Sequence, residues 1–285
     1  MQYHQKIICH LADLSCQQFR ELNGHHLSHL KAHGFQDIRR LVHLSPSQYQ
    51  RCLYPNTNQV GRIIDWINQS PKHHLIFVGD DDYPSMLLDL HQPPLALYVK
   101  GQSSLLGSIQ VGMVGSRNAS RYGLEQAQQL SCQLAKHGVT VTSGMAMGID
   151  AHAHRGCIHA KKPTLAVLGL DIETIYPHQN HTLYNYMACQ GVLVSEHPLG
   201  QAYHAGVFPK RNRIIAALSK VLMVIEATQK SGAIITAKHA LELNREVMAL
   251  PGHRGHPQTE GTHNLIQQGA HIITSIMDVL SLIKI

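Results

Sequence analysis

From residue 108 onward the chain alternates short apolar runs with helix-sized amphipathic segments, and this alternation restricts the possible folds most sharply. Six runs read as strands: 110–115, 139–143, 164–169, 191–195, 220–226 and 246–250. A strand covered by helices on both faces loses the polar alternation of a solvated sheet, and these runs have little of it. Between them lie segments such as 122–137, whose Leu124, Ala127, Leu130 and Leu134 share one helical face before Gly138 stops the helix. Repeated strand–helix units give a parallel, doubly wound sheet, so the expected class is α/β.

Residues 1–70 read differently. Leu11, Leu14, Phe19, Leu22, Leu27, Leu30, Leu41 and Leu44 recur mostly three to five residues apart, punctuated by Gly24, Gly34 and Pro46. That spacing predicts a small all-helical N-terminal domain. The expected second domain is 71–285, with 71–107 as its lead-in: an acidic turn at Asp80-Asp81-Asp82, a Pro93-Pro94 break and one possible strand over Leu95–Val99.

Charge narrows the function. The net +6 is uneven: residues 208–245 hold seven basic and two acidic side chains, a local excess of +5. A concentrated excess points to an anionic partner. The 23 histidines mostly lie elsewhere and read as incidental. His25, His29 and His33 have helical spacing, yet no Cys or carboxylate completes a metal set, so no metal or other cofactor is expected. The longest apolar runs are too short to span a bilayer, and the N-terminus lacks a signal-peptide stretch. Six scattered cysteines without a CxxC suit a cytoplasmic protein with reduced thiols.

Ligands of open parallel sheets bind at the carboxyl ends of the strands. Gly115-Ser116-Arg117 follows the first strand and can cradle a phosphate, or form a tight turn with an exposed arginine; the motif alone leaves both open. Ser143-Gly144 ends the second strand. Phe208-Pro209-Lys210-Arg211-Asn212-Arg213 opens a helix, where three cations are unfavourable unless an anion binds. One arginine of the pair is expected to be structural, facing Glu226 or Glu196, and Phe208 is either a base-stacking platform or a core anchor. Lys230-Ser231-Gly232 offers a second phosphate site or an ordinary helix cap. Neighbouring sites of this kind match a nucleic-acid backbone better than a lone phosphate. Asp150, Asp171 and Glu173 are the candidate acid–base groups, but they form no catalytic motif, and His152 and His154 should face different ways.

The runs Val111–Arg117, Ser143–His152, Gly169–Asp171 with Tyr176-Pro177, and Phe208–Ala216 closely resemble the DNA-processing protein DprA (Smf) family. Glu226-Ala227, Ser231-Gly232, Pro251-Gly252 and Gly269-Ala270 continue the pattern, which covers about 75–285. The resemblance implies an extended Rossmann-like fold, with a helical N-terminal domain of the SAM or helix-hairpin-helix kind. It implies a non-enzymatic protein that binds single-stranded DNA, protects incoming DNA and loads RecA recombinase in natural transformation and homologous recombination. It also implies a homodimer formed through the Rossmann domain. The implied phosphate pocket comprises Gly115, Ser116, Arg117, Ser143, Gly144, Arg211, Asn212, Lys230, Ser231 and Gly232, with Phe208, Lys210 and Arg213 beside it. Met147 and Asn118 stand where the family commonly shows arginine, and His263 where it shows asparagine. A C-terminal winged helix is expected to be absent. The rival reading is a LOG-type nucleotide phosphoribohydrolase, but 226–233 lacks that group's paired glycines and carries Lys230 instead.

Overall fold

A computed structural model describes residues 2–24, 42–201 and 206–283. His25, His29 and His33, and with them Leu27, Leu30 and Leu41, lie outside the described residues. The four described N-terminal helices are α1 (Tyr3–Leu11), α2 (Cys16–Gly24), α3 (Pro46–Leu53) and α4 (Thr57–Asn68). Ser45 and Gln48 close a capping box at α3, and Asn56 caps α4 through the Gln59 amide. Such caps supply the partners that a helix's first amides otherwise lack.

Nine strands form one sheet in the order β1-β2-β6-β5-β4-β3-β7-β8-β9. They are β1 (His73–Phe77), β2 (Ala96–Gly101), β3 (Gln110–Val114), β4 (Thr140–Ser143), β5 (Leu165–Val167), β6 (Val192–Ser195), β7 (Val221–Val224), β8 (Glu246–Ala249) and β9 (His271–Ile272). All pairings are parallel except β1 with β2 and β2 with β6. All six strands read from the apolar runs are present, as is the strand expected over Leu95–Val99. β1 and β9 were not anticipated. In β1 two histidines precede Leu75-Ile76-Phe77 and blur the apolar run, and β9 is only two residues long.

Between and after the strands run α5 (Arg121–Lys136), α6 (Ile149–His159), α7 (His181–Gln190), α8 (Val207–Leu218), α9 (Gly232–Glu242), α10 (Glu260–Gln267) and α11 (Ile276–Ile283). They cover both faces of the sheet. Val111, Met113 and Val141 pack with Ala127, Leu130 and Leu134 of α5 and with Val279 and Leu280 of α11. Leu222, Val224 and Val247 turn the other way, towards Ile214 and Ile215 of α8 and Ala237 of α9. Gly138, at φ +77°, ends α5 as the sequence indicates.

The N-terminal helices share the second core. Phe19 stacks on Phe77 at 6.0 Å, and Trp66 lies over His73 at 4.4 Å while its Nε1 donates to Glu173 at 2.8 Å. Glu173 also pairs with Lys100 at 2.9 Å, so this candidate acid–base carboxylate joins a helix to the sheet. Among the described residues no helix is long and apolar enough to cross a membrane.

His152 and His154 do face different ways. His154 is fully buried, with Nδ1 2.8 Å from Thr164 Oγ1, whose own proton goes to the Val141 carbonyl at 2.7 Å. Burial, reinforced by the nearby charge of Arg211, lowers the His154 imidazole from 6.5 to about 3. The ring is thus neutral when folded and takes up a proton on unfolding below pH 6.5. Stability should therefore fall with acidification from 6.5 towards about 3, by up to about 1.4 kcal/mol per pH unit from this group. Denaturation of wild-type and His154→Gln protein across that range checks this: the variant's profile should be flatter, and parallel profiles would refute the assignment.

Candidate nucleic-acid interface

The carboxyl ends of β5, β4, β3, β7 and β8 lie side by side along one rim. At its centre is Arg211, 3 % exposed and the most buried Lys or Arg among the described residues. Its Nη1 donates to the carbonyl of Gly144 at 2.6 Å and to that of Val167, and its Nε donates to Asn212 Oδ1 at 3.1 Å. One guanidinium from α8 thus ties down the ends of β4 and β5. A Cβ on Gly144 would fall 2.5 Å from Nη1 and Nη2, so a larger residue there would displace the guanidinium from its place.

Asp150 completes the arrangement from the first turn of α6. Its Oδ2 accepts the amides of Gly144 at 3.2 Å and Ala146 at 3.4 Å, so these amides are already taken by an internal anion. Burial raises the Asp150 carboxyl, opposed chiefly by the charge of Arg211. Burial likewise lowers Arg211 to about 10, with Asp150 opposing and Arg117 adding to the fall. Desolvation outweighs the mutual attraction for both groups, as is common for buried charges.

A second internal carboxylate lies at the β3–β7 junction. Glu226, 2 % exposed, accepts the amide of Ser120 at 2.8 Å and its hydroxyl at 2.5 Å, at the start of α5. The Ser116 amide donates to the Glu226 carbonyl at 2.7 Å, and Ser116 Oγ accepts the Asn118 amide at 3.1 Å. Ser143 Oγ donates to the Met113 carbonyl at 2.6 Å, and the Cβ that Gly115 lacks would strike Ile149 at 2.5 Å. Gly115, Ser116 and Ser143 therefore shape the rim from beneath, and the side chain this turn presents outward is Arg117.

Arg117 is exposed, with its guanidinium carbon 5.5 Å from the centre of the Phe208 ring. Phe208 in turn stacks on Tyr176 at 5.2 Å and 29°. These three side chains line a cleft with Gly144, Met147, Gly169, Thr174 and Arg211. Gly169 is obligatory there, since its Cβ would lie 2.5 Å from the Phe208 ring. Neither Tyr176 nor Gly169 is among the expected site residues, although both stand in the segments Gly169–Asp171 and Tyr176-Pro177 that carry the family resemblance. Their proximity to Phe208 depends on α8 returning across the strand ends, which spacing in the chain does not reveal.

The remaining expected residues divide. Arg213 turns away to pair with Glu196 and to donate to the Gln92 carbonyl at 2.8 Å, so both arginines of the pair are structural, where one was expected to be. Lys210 is exposed and lies 4.0 Å from the same carboxylate. Asn212 Nδ2 donates to the Gly232 carbonyl at 3.3 Å, joining α8 to the start of α9. There Lys230 is exposed, and Ser231 does not cap the helix: its Oγ is buried and has no hydrogen-bond partner. Among the described residues no carboxylate hydrogen-bonds to the first turn of α9.

The other candidate acid–base group, Asp171, accepts the Glu173 amide at 3.0 Å and the Thr174 hydroxyl at 2.8 Å, which braces a turn. Among the described residues no three His, Cys, Asp or Glu side chains gather as a metal site.

The chain matches the family model for DNA recombination-mediator protein A over residues 74–284. It is 44 % identical over 239 residues to protein Smf of Escherichia coli, covering 83 % of this chain and 63 % of that one. It is 39 % identical over 203 residues to DNA processing protein DprA of Bacillus subtilis, covering 71 % and 68 %. The chain therefore spans under two thirds of the length of the Escherichia coli relative. The solved structure of DprA from Streptococcus pneumoniae superposes with a TM-score of 0.85 at 29 % identity, covering 99 % of this chain and 98 % of that chain. DNA processing protein A from Helicobacter pylori, solved to explain its single-stranded DNA binding mode, gives 0.67 at 27 % identity over 74 % and 96 %.

Replacing Arg211 by Ala should cost about 3–5 kcal/mol, because it removes one of two buried opposite charges and leaves two strand-end carbonyls without a donor. Arg117→Ala should leave stability within about 0.5 kcal/mol. Urea denaturation of both variants checks this, and an equal small loss in each would show that Arg211 does not anchor the rim.

Proposed function

The chain belongs to the DNA recombination-mediator protein A family, and on that premise we propose that it binds single-stranded DNA along the carboxyl rim of its sheet. The observation that carries this reading is the stack of Arg117 on Phe208 and Tyr176 at the mouth of the cleft. A cation that meets a phosphate, beside aromatic faces that accept unpaired bases, is the combination single-strand binders use. The duplex hides base faces that such a platform needs. Lys230 and the uncapped start of α9 support a second phosphate contact next to the cleft, and Lys210 lies on the turn of α8 that carries Phe208.

The protein is further read as protecting incoming DNA and loading a RecA recombinase onto it in natural transformation and homologous recombination. The family description as a recombination mediator supports this role. It is read as a homodimer through the sheet domain. Support comes from β9, the edge strand, whose Ile272 is 47 % exposed, and from Met277 of α11, 63 % exposed. The division into a helical domain over 1–70 and a DNA-binding domain over 71–285 belongs to the same proposal. So does a cytoplasmic location, supported by six cysteines that form no disulfide. Family membership replaces the phosphoribohydrolase alternative, since the relatives are DNA-processing proteins.

Arg117→Ala should weaken single-strand binding by at least about 1.5 kcal/mol, the scale of a hydrogen bond to a charged group. Lys230→Ala should flatten the slope of log affinity against log salt by about 0.7, the share of one neutralised phosphate on a single strand. Titration of a labelled oligothymidine at several salt concentrations measures both. Wild-type affinity in Arg117→Ala would remove the cleft from the binding surface.

A further inference from the structure

The loop after β8 runs Pro251-Gly-His-Arg-Gly-His-Pro257. His253, Arg254 and His256 are all exposed. The backbone that carries them is nonetheless well braced. Thr259, 3 % exposed, places Oγ1 2.8 Å from the His253 carbonyl and 2.9 Å from that of His256. The His256 amide donates back to the His253 carbonyl at 3.2 Å, and Gly255 takes φ +84° to close the turn. His263 Nε2 stands 3.1 Å from the Gly252 carbonyl, securing the loop's base. His256 Nδ1 accepts the Gln258 amide at 3.3 Å, so the neutral ring carries its proton on Nε2 as an available donor.

The position of this loop matters as much as its composition. β7 and β8 are parallel neighbours, so their carboxyl ends lie together on the rim that holds the cleft. The Ala227 amide donates to the Gln258 carbonyl at 2.7 Å, and the Gly261 amide to the Ala227 carbonyl at 2.8 Å, joining the loop to the one that bears Lys230. From β3, whose carboxyl end leads into the turn bearing Arg117, to β8 is two strand spacings, about 10 Å. Between residues 247 and 259 there is no carboxylate; the next is Glu260, exposed at the start of α10. Cationic and donor side chains thus continue along one rim from Arg117 through Lys230 to Arg254. A single small phosphate would occupy one of these positions, whereas an extended polyanion meets them in turn.

We propose that the His253–His256 loop is a further phosphate-contact subsite, which receives the single strand after it passes Arg117 and Lys230. This rests on the single-strand reading of the cleft. Arg254 supplies the fixed charge, and His253 and His256 supply ring N–H donors on either side of it.

The test compares oligothymidines of about 6 and about 20 nucleotides, the shorter able to fill the cleft alone. The full chain is used, as wild type and as the triple variant His253→Gln, Arg254→Gln, His256→Gln. The variant should bind the longer strand about tenfold more weakly, the effect of losing one or two charge-assisted contacts, and the shorter strand as wild type does. Arg254→Glu alone should reproduce the length-dependent loss, and it decides the question if the triple variant's melting temperature shows misfolding. If wild type binds both strands and the variants keep wild-type affinity for the longer one, the loop assignment is overturned while the cleft reading stands. If wild type binds neither strand, the cleft reading fails and the loop assignment falls with it.

Discussion

The rim depends on the guanidinium of Arg211 buried beneath it. A sheet whose strands end in carbonyls leaves those acceptors to be satisfied by loops, water or side chains. Here Arg211 satisfies two of them, at Gly144 and Val167, and its charge is balanced by Asp150 from α6. α8 must therefore cross the ends of β4 and β5, which brings Phe208, one turn earlier, over Gly169 and under Arg117. The cleft follows from a structural charge pair, and the ligand-facing cation is a different residue.

Two internal carboxylates shape what remains available. Asp150 fills the turn before α6, and Glu226 takes the amide and hydroxyl at the start of α5. Both act as built-in anions where helix amides and dipoles would favour a bound one. Their presence moves the recognition of an external anion from the backbone to side chains that protrude, Arg117 and Lys230. Among the described residues no carboxylate intervenes at the start of α9, and the Ser231 hydroxyl has no hydrogen-bond partner.

The sheet was largely legible because its central strands are buried on both faces, which leaves unbroken apolar runs such as Val221–Val224. The edges were less so: β1 begins with two histidines, and β9 is too short for any periodicity. At the site, residue types were easier to read than roles. Arg117 and Lys230 are exposed at strand ends, as a strand-end position implies, and the pairing of Arg213 with Glu196 was among the foreseen alternatives. The roles of Arg211, Ser116 and Ser143 could not be read from spacing. Each is set by a partner from a distant part of the chain, 67 residues away in the bond from Arg211 to Gly144. The role of Tyr176 is hidden for the same reason: its ring meets Phe208 only in the folded chain.

The central claim is that unpaired bases and backbone phosphates are held together at the Arg117–Phe208–Tyr176 cleft. Duplex DNA presents the same phosphate charge but keeps its base faces stacked, so a merely electrostatic rim would bind it comparably. The most direct measurement is a competition titration of single-stranded oligothymidine against duplex of equal length at a fixed salt concentration. A preference for the single strand of at least about tenfold is expected from one base stacked on the platform. Equal affinity for the two forms would contradict the account.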